Sequence, residues 1–573
     1  MPLHDAFWPE RVPRHVPAIA TSVWHNLAVS AARYPDKAAL VFFGTVTTYA
    51  QLAGQAEQLA AYLYQLGVQK GARVIVFMQN CPQLVIAHYA ILRANAVVVP
   101  VNPMNLAEEL AHYIRDSGAS VALCTADLAP QLVQAANAVG AEGDPSLQHL
   151  IVTAFTDAFD PQAMGDDAPP AAWRDWLCGA PDGAMLQEGR HHAWREALAC
   201  SAPPPPHTAG PADLAVLPYT SGTTGLPKGC MHPHRSIQHN VVGAALWGQQ
   251  TMQAVSLSVV PMFHITGMVV VMHGSIYLGA TQILMPRWDR ELAGRLISKW
   301  KVTTWTNIPT MVIDLLASPN IADFDLGSLE HIGGGGAAMP QAVAQRLQGQ
   351  FGLAYVEGYG LTETAAPTHS NPHHRPKQQC LGIPIIGTCA CIVDPDTLAV
   401  LPPGAQGEIL VHGPQVFDGY WRNQAATDAA FVTLEGRRFF RTGDLGHMDE
   451  EGYFFLTDRL KRMINASGFK VWPAEVEALM FRHPAVQEAC VIGARDAYRG
   501  ETVKAFVVLR PGHEALTEDA LIAWCRNHMA AYKAPRLVEF VDALPKSGSG
   551  KVMWRALQQR QEAIDRQGVA AGP

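Results

Sequence analysis

The sequence predicts an α/β protein with largely parallel sheets, made of a large N-terminal domain and a small C-terminal one. Three observations predict it. The chain has 573 residues, 49% of them hydrophobic and 16% charged, a globular balance in a chain too long for one core. At about 150 residues per domain it holds roughly three or four modules. Strand-like and helix-like periodicities alternate through most of it, as in a parallel sheet with crossover helices. The pattern then restarts as a smaller unit near "TDRLKRMINASGFKVWPAEVEAL", residues 457–479.

In chain order, "ARVIVFMQNCPQLVIAHYAILRANAVVVPVN" (72–102) reads as strand, helix, strand. From about Thr156 to Pro211 the pattern fades, ending in "CSAPPPPHTAGPA", whose prolines predict a stiff surface insertion. Leu214 to Leu217 reads as a strand that runs into a glycine loop, and an amphipathic segment starts at Ile237. "TWTNIPTMVIDLLA" (304–317) and "HIGGGGAAMPQAVAQRLQGQF" (331–351) are further strand-to-helix passages. "FFRTGDLGHMDEEGYFFL" (439–456) is a strand-and-turn region, and we place the domain boundary after it: residues 1–457, then 458–573. The second domain reads as a helix from Pro473, strands "EACVIGA" and "KAFVVLR", helix "TEDALIAWCRNHM" and a tail.

Bulk properties exclude several functions. A net charge of -8 offers no basic footprint for nucleic acid, so a phosphate-bearing ligand must meet a local site and a small nucleotide fits better than a polymer. The start, "MPLHDAFWPERVPRHVP", lacks the basic and apolar regions of a signal peptide, and no apolar run is long enough to span a bilayer. The expected location is the cytoplasm. The ten cysteines are scattered, and Cys389 with Cys391 has no partner pair at zinc spacing, so reduced thiols are expected.

"YTSGTTGLPKG" (219–229) carries three glycines, five hydroxyls and one lysine between two ordered elements, which argues against a linker. It is not a Walker A loop, since Pro227 rather than glycine precedes Lys228. Glycines bring backbone amides close to an anion and hydroxyls donate further bonds, so the composition suits phosphate. On this segment alone a plain Ser/Thr/Gly turn stays open.

Four further segments follow in order: "EGYGLTET" (357–364), "FRTGDLG" (440–446), "DRLKRMINASGFKVWPAEVE" (458–477) and "LPKSGSGKV" (544–552). With the glycine loop, this succession resembles the adenylate-forming superfamily. "LGIPIIGTCACIVDPDT", "PPGAQGEILVHGP" and "GYWRNQAATDAAF" resemble its acyl-CoA synthetase branch. The resemblance spans nearly the whole chain. It implies a large N-terminal domain of several subdomains, including a β-barrel-like part, and a small mobile α+β domain hinged at 458–461.

It also implies roles. Thr220, Ser221, Gly222, Thr223, Thr224, Gly225 and Lys228 would hold the ATP phosphates. Gly336, Ala337, Glu357, Gly358, Tyr359, Gly360 and Thr362 would line the nucleotide, with the Tyr359 ring against adenine. Gly335 belongs to "GGGGAAM", expected to be a wall where backbone approaches adenine and acyl group. Glu363 and Thr223 would meet Mg²⁺. Asp444 would accept from the ribose hydroxyls and Arg459 would bind ribose or phosphate. Lys551 would reach the carboxylate and α-phosphate, joining Glu363, Thr223 and His264 as the catalytic set. Lys461 would be the hinge, and Ser467, Gly468 and Phe469 would line the CoA path, with Asn465 where some relatives carry lysine. His264 and Met268, with Gly335, would face the acyl chain. His232 and His234 have metal-like spacing but no third ligand nearby, and read as loop residues.

The reaction implied is activation of a carboxylic acid by ATP and Mg²⁺ to an acyl-adenylate, then thioester formation with CoA. A medium- or long-chain fatty acid fits the apolar "HITGM" and "TNIPTM"; aryl and other acids stay open. An adenylation enzyme feeding a carrier protein is disfavoured because no carrier segment follows Lys551, and a non-catalytic nucleotide-binding relative because Lys228, Glu363, Asp444, Arg459 and Lys551 are all present. The resemblance implies homodimers as a common state; the residues themselves fix no oligomer.

Overall fold

The computed structural model describes residues 3–144, 146–162, 164–179, 190–220, 226–336, 338–459, 462, 464–466, 469–471, 473–496, 500–529, 532–547 and 552–570. The chain divides into two compact units, residues 1–390 with 411–440 and residues 391–410 with 441–573.

The first unit is built on two sheets, both largely parallel. In the seven-stranded sheet, Arg73–Phe77 lies between Val97–Pro100 and Val121–Thr125, and every pairing except one edge is parallel. These strands are nearly continuous apolar runs because helices cover both faces. The crossover helix Pro82–Arg93 is buried from Pro82 through Leu92, on all sides rather than on one stripe.

The nine-stranded sheet runs through Thr304–Asn307, His331–Gly334 and Tyr355–Leu361, paired in parallel, and then reverses at the antiparallel strand Ala366–Ser370. The carboxyl ends of these three strands therefore open onto a place where ligands bind in open α/β sheets. The strand and helix expected in 304–317 and 331–351 are Thr304–Asn307 with Pro309–Leu316 and His331–Gly334 with Gln341–Phe351.

The stretch expected as a surface insertion is tied down at three places. His191–Ala193 adds a parallel edge strand beside His149–Thr153. Asp167 is fully buried and receives Trp300 Nε1 at 3.2 Å and Lys299 Nζ at 3.0 Å. The carbonyls of Pro205 and Pro206 accept from Arg93 Nη1 (2.6 Å) and Asn95 Nδ2 (3.0 Å). Prolines have no amide to donate, so their carbonyls are tied down by these side-chain donors.

The long strand Arg437–Met448 passes from one unit to the other. Its first half pairs with Phe431–Leu434, and its second half with Phe454–Arg459. In the second unit the hairpin Val486–Asp496 with Gly500–Leu509 takes Leu537–Phe540 as a parallel neighbour. Helix Pro473–Met480 follows as expected, and helix Glu518–His528 is capped by Thr517, which accepts from the Ala520 amide. The expected tail is instead the helix Trp554–Ala570. Buried Lys504 pins it by donating to Gln561 Oε1 and Glu539 Oε2, both at 2.8 Å.

Candidate active site

The glycine loop sits on a two-stranded hairpin: Tyr219–Thr220 pairs antiparallel with Lys228–Gly229, setting Thr220 opposite Lys228. The helix Ala107–Ser117 is its seat. Tyr219 donates its hydroxyl to Asp116 Oδ2 at 2.6 Å, and His112 Nε2 meets the Pro227 carbonyl at 2.8 Å. Burial, and then the Asp116 carboxylate, push the Tyr219 phenol far above its ordinary value, so it remains a donor. On the other side the chain after the hairpin runs against 418–421. The Trp421 amide donates to the Gly229 carbonyl (2.8 Å), the Met231 amide to Gly419 (2.9 Å), and Cys230 bridges Tyr420.

Tyr420 joins this hairpin to the "TET" turn. Its hydroxyl donates to Glu363 Oε1 at 2.8 Å, and Lys228 Nζ lies 4.9 Å from its ring centroid, within cation–π range. Glu363 is 8% exposed. Burial, and then Glu363, push the Tyr420 phenol far above its usual range and keep it protonated as the carboxylate's partner.

The turn's backbone is held from beneath. Asn240 Nδ2 donates to the carbonyls of Thr364, Ala365 and Pro367 at 3.0, 2.8 and 2.9 Å. His232 Nε2 meets the Thr362 carbonyl at 2.7 Å. Ala365 and Ala366 stand at φ 49° and 78°, a left-handed pair that side chains rarely adopt. His232 and His234 are thus not loop residues: both are fully or almost fully buried, the first in a short strand and the second opening the helix His234–Trp247. Burial lowers their pKa values to about 4 and about 3. Neutral imidazoles can be both donor and acceptor, and here they serve the backbone.

The glycine run lies against the backbone of neighbouring strands. A Cβ on Gly334 would lie 1.8 Å from the Asn307 carbonyl, and one on Gly335 2.4 Å from the Gly358 carbonyl. The close approach seen is strand to strand, so glycine is required by the sheet itself. Gly336 follows at φ 87° and turns the chain out of the strand. Glu357, 6% exposed, accepts from the Met339 amide at 2.8 Å and from the Cys380 amide at 3.4 Å. Its carboxyl is raised by burial, against which these amides act. Gly335, Gly336, Glu357 and Gly358 therefore meet at the strand ends. Half-buried Tyr359 backs onto the His369 ring at 5.7 Å, and a Cβ on Gly360 would stand 1.8 Å from the Ala366 carbonyl. Thr362 is half-buried beside Glu363.

His264 precedes an irregular helix. It is half-buried, its carbonyl accepts from the Met268 amide at 2.9 Å, and residues Gly267–His273 form a π-helix in which Met268 is fully buried. His273 anchors that helix, meeting the Tyr89 hydroxyl at 2.8 Å and His88 Nε2 at 3.1 Å.

In the second unit Asp444 is 2% exposed and pairs in register with Arg459. Its amide donates to Thr442 Oγ1 at 3.0 Å, while Glu408 accepts from the Gly443 amide at 3.1 Å and from Arg441 Nη2 at 2.6 Å. Ser221, Gly222, Thr223, Thr224, Gly225, Ala337, Lys461, Ser467, Gly468 and Lys551 lie outside the described residues, as do the side chains of Arg459, Asn465 and Phe469.

Sequence reasoning missed Tyr420, Asn240, His232 and Glu408. Tyr420 and Glu408 stood in quoted segments, but nothing local signals a partner far along the chain. Among the described residues no three His, Cys, Asp or Glu come together as a metal cage. One buried carboxylate beside hydroxyls and a lysine suits Mg²⁺ shared with nucleotide phosphates, the usual arrangement for that ion. All ten cysteines are free.

The family described as "AMP-binding enzyme" matches residues 27–421, and "AMP-binding enzyme C-terminal domain" matches 475–551. This chain belongs to that family. A long-chain-fatty-acid–CoA ligase of Bacillus subtilis is 37% identical over 97% of this chain and 97% of its own. A feruloyl-CoA synthase of Amycolatopsis is 34% identical over 92% and 96%. The ATP-bound crystal structure of MatB from Rhodopseudomonas palustris superimposes with a TM-score of 0.81 at 27% identity, over 95% of this chain and all of that one. As an AMP-binding enzyme the chain is an acyl-CoA ligase, an acid–thiol ligase that works with ATP, Mg²⁺ and CoA. Among the described residues no helix is long and apolar enough to cross a membrane.

Proposed function

We propose that this ligase activates a medium- or long-chain fatty acid. The observation that carries the reading is the near full-length similarity to a long-chain-fatty-acid–CoA ligase, at 37% identity over 97% of both chains. The apolar, buried stretch around Met268 supports it. The carboxylate attacks the α-phosphate of ATP, giving acyl-adenylate and pyrophosphate, and the CoA thiol then displaces AMP. The protein's task is positioning and charge stabilisation.

In this reading Thr220, Ser221, Gly222, Thr223, Thr224, Gly225 and Lys228 bind the phosphates, Tyr359 carries adenine, and Gly335 and Gly336 border it. Glu363 and Thr223 would hold Mg²⁺, which would supply positive charge against that building on the phosphates. Asp444 and Arg459 take the ribose, and Lys551 neutralises the developing charge. His264 and Met268 border the acid. Between the half-reactions the C-terminal domain, 458–573, turns about Lys461, bringing Ser467, Gly468 and Phe469 to the pantetheine path. The enzyme works in the cytoplasm as a homodimer.

The relative named for feruloyl-CoA favours a second reading, an aryl acid. CoA-dependent AMP release across short, medium and long fatty acids, aromatic acids and amino acids separates the two. Turnover with chains of about ten carbons or more, absent in Lys551→Ala, is the expected result. Turnover confined to aryl acids overturns the fatty-acid reading, and pyrophosphate release without need of CoA overturns the CoA-ligase step.

A further inference from the structure

Tyr420 touches both charged groups at the phosphate end of the site, and its own position is fixed on several sides. Its amide donates to Thr427 Oγ1 at 2.9 Å, it forms a backbone bridge with Cys230, and the Phe417 ring packs on it at 4.9 Å. The flanking amide bonds from Met231 to Gly419 and from Trp421 to Gly229 lock the same segment to the hairpin strand that carries Lys228. On the other side, the Phe417 amide donates to the Glu363 carbonyl at 2.9 Å, so the turn carrying the acid is sewn to the same segment. Neither Lys228 nor Glu363 is adjacent to Tyr420 in sequence.

We infer that Tyr420 is a positioning residue that sets Lys228 and Glu363 relative to each other, seating the ammonium on its ring face and fixing the carboxylate with its hydroxyl. This rests on the reading of Lys228 as a phosphate group and Glu363 as an Mg²⁺ group. Tyrosine suits the task because it joins a flat electron-rich face to a single donor on a stiff frame with two rotatable bonds. Phenylalanine would keep the seat for Lys228 and lose the hold on Glu363; leucine would lose both.

The test uses the full-length protein as Tyr420→Phe, Tyr420→Leu and Glu363→Gln. Titration calorimetry measures binding of ATP with and without Mg²⁺, in the absence of acid and CoA. Mass spectrometry follows the rate at which an amine-acylating reagent labels Lys228 in nucleotide-free protein, and thermal melting checks folding. Tyr420→Phe should weaken MgATP binding about tenfold, leave metal-free ATP binding and Lys228 labelling as in wild type, and melt normally. Tyr420→Leu should add a several-fold faster labelling of Lys228. Wild-type MgATP affinity in Tyr420→Phe, with Glu363→Gln impaired, overturns the role of the hydroxyl. Unchanged labelling in Tyr420→Leu overturns the role of the ring. If Glu363→Gln itself binds MgATP as wild type does, the metal reading of Glu363 falls, and the labelling result still judges Tyr420 as the seat of Lys228.

Discussion

Glu357 and Glu363 belong to one short motif, and both are buried, at 6% and 8% exposure, yet their surroundings differ in kind. Glu357 sits in the parallel sheet and accepts from the backbone amides of Met339 and Cys380. Glu363 sits just beyond the strand end, in a turn propped by Asn240 and His232, and meets the Tyr420 hydroxyl near the Lys228 ammonium. A carboxylate satisfied by amides is fixed framework, because those donors cannot leave without unfolding the chain. A carboxylate held by a side-chain hydroxyl beside a lysine can exchange partners, and so can serve a ligand. The difference teaches that burial alone does not separate scaffold from chemistry; the identity of the donors does.

The largest expected effect that sharpens this contrast is on stability. Glu357→Ala leaves two buried amides without an acceptor, at about 1–3 kcal/mol each, so we expect a loss of about 3 kcal/mol in denaturant unfolding. An unchanged midpoint would contradict a framework role for the Glu357 carboxylate.

A smaller effect comes from pH, through the histidines behind the Glu363 turn. Burial lowers His232 to about 4 and His369 to about 3 from the ordinary imidazole value of 6.5. Between those values and 6.5 the unfolded chain binds more protons than the folded one, so stability falls as pH falls. At pH 5 each histidine should cost about 2 kcal/mol relative to neutral pH. Melting temperature recorded from pH 7.5 to 4.5 should drop steeply below 6.5, and His369→Gln should flatten the drop if it folds. A flat profile would contradict neutral buried imidazoles.

Much of this architecture is legible in the sequence. Strand–helix–strand periodicity announced 72–102 because side-chain burial repeats at two and 3.6 residues, and that repeat survives in the structure as Arg73–Phe77, Pro82–Arg93 and Val97–Pro100. The glycine loop and "TET" were legible as chemistry because their residue types are costly for packing. The partners that hold them were not. Tyr420 reaches Glu363 across 57 residues and His232 reaches Thr362 across 130, and no local spacing encodes such contacts. Glycine marks any close backbone contact, and at Gly333, Gly334 and Gly335 the contacts seen are with adjacent strands. The helix Trp554–Ala570 escaped notice because its residues are polar on average, although they keep a helical period.

The measurement that bears most directly on the assignment of chemistry to Glu363 is pyrophosphate release in the first half-reaction by Glu363→Gln, beside its melting temperature. The amide keeps an oxygen for the Tyr420 hydroxyl, so the fold should survive. We predict a fall in rate of about a hundredfold or more with a melting temperature near that of wild type. Wild-type pyrophosphate release from a folded Glu363→Gln protein would contradict the account.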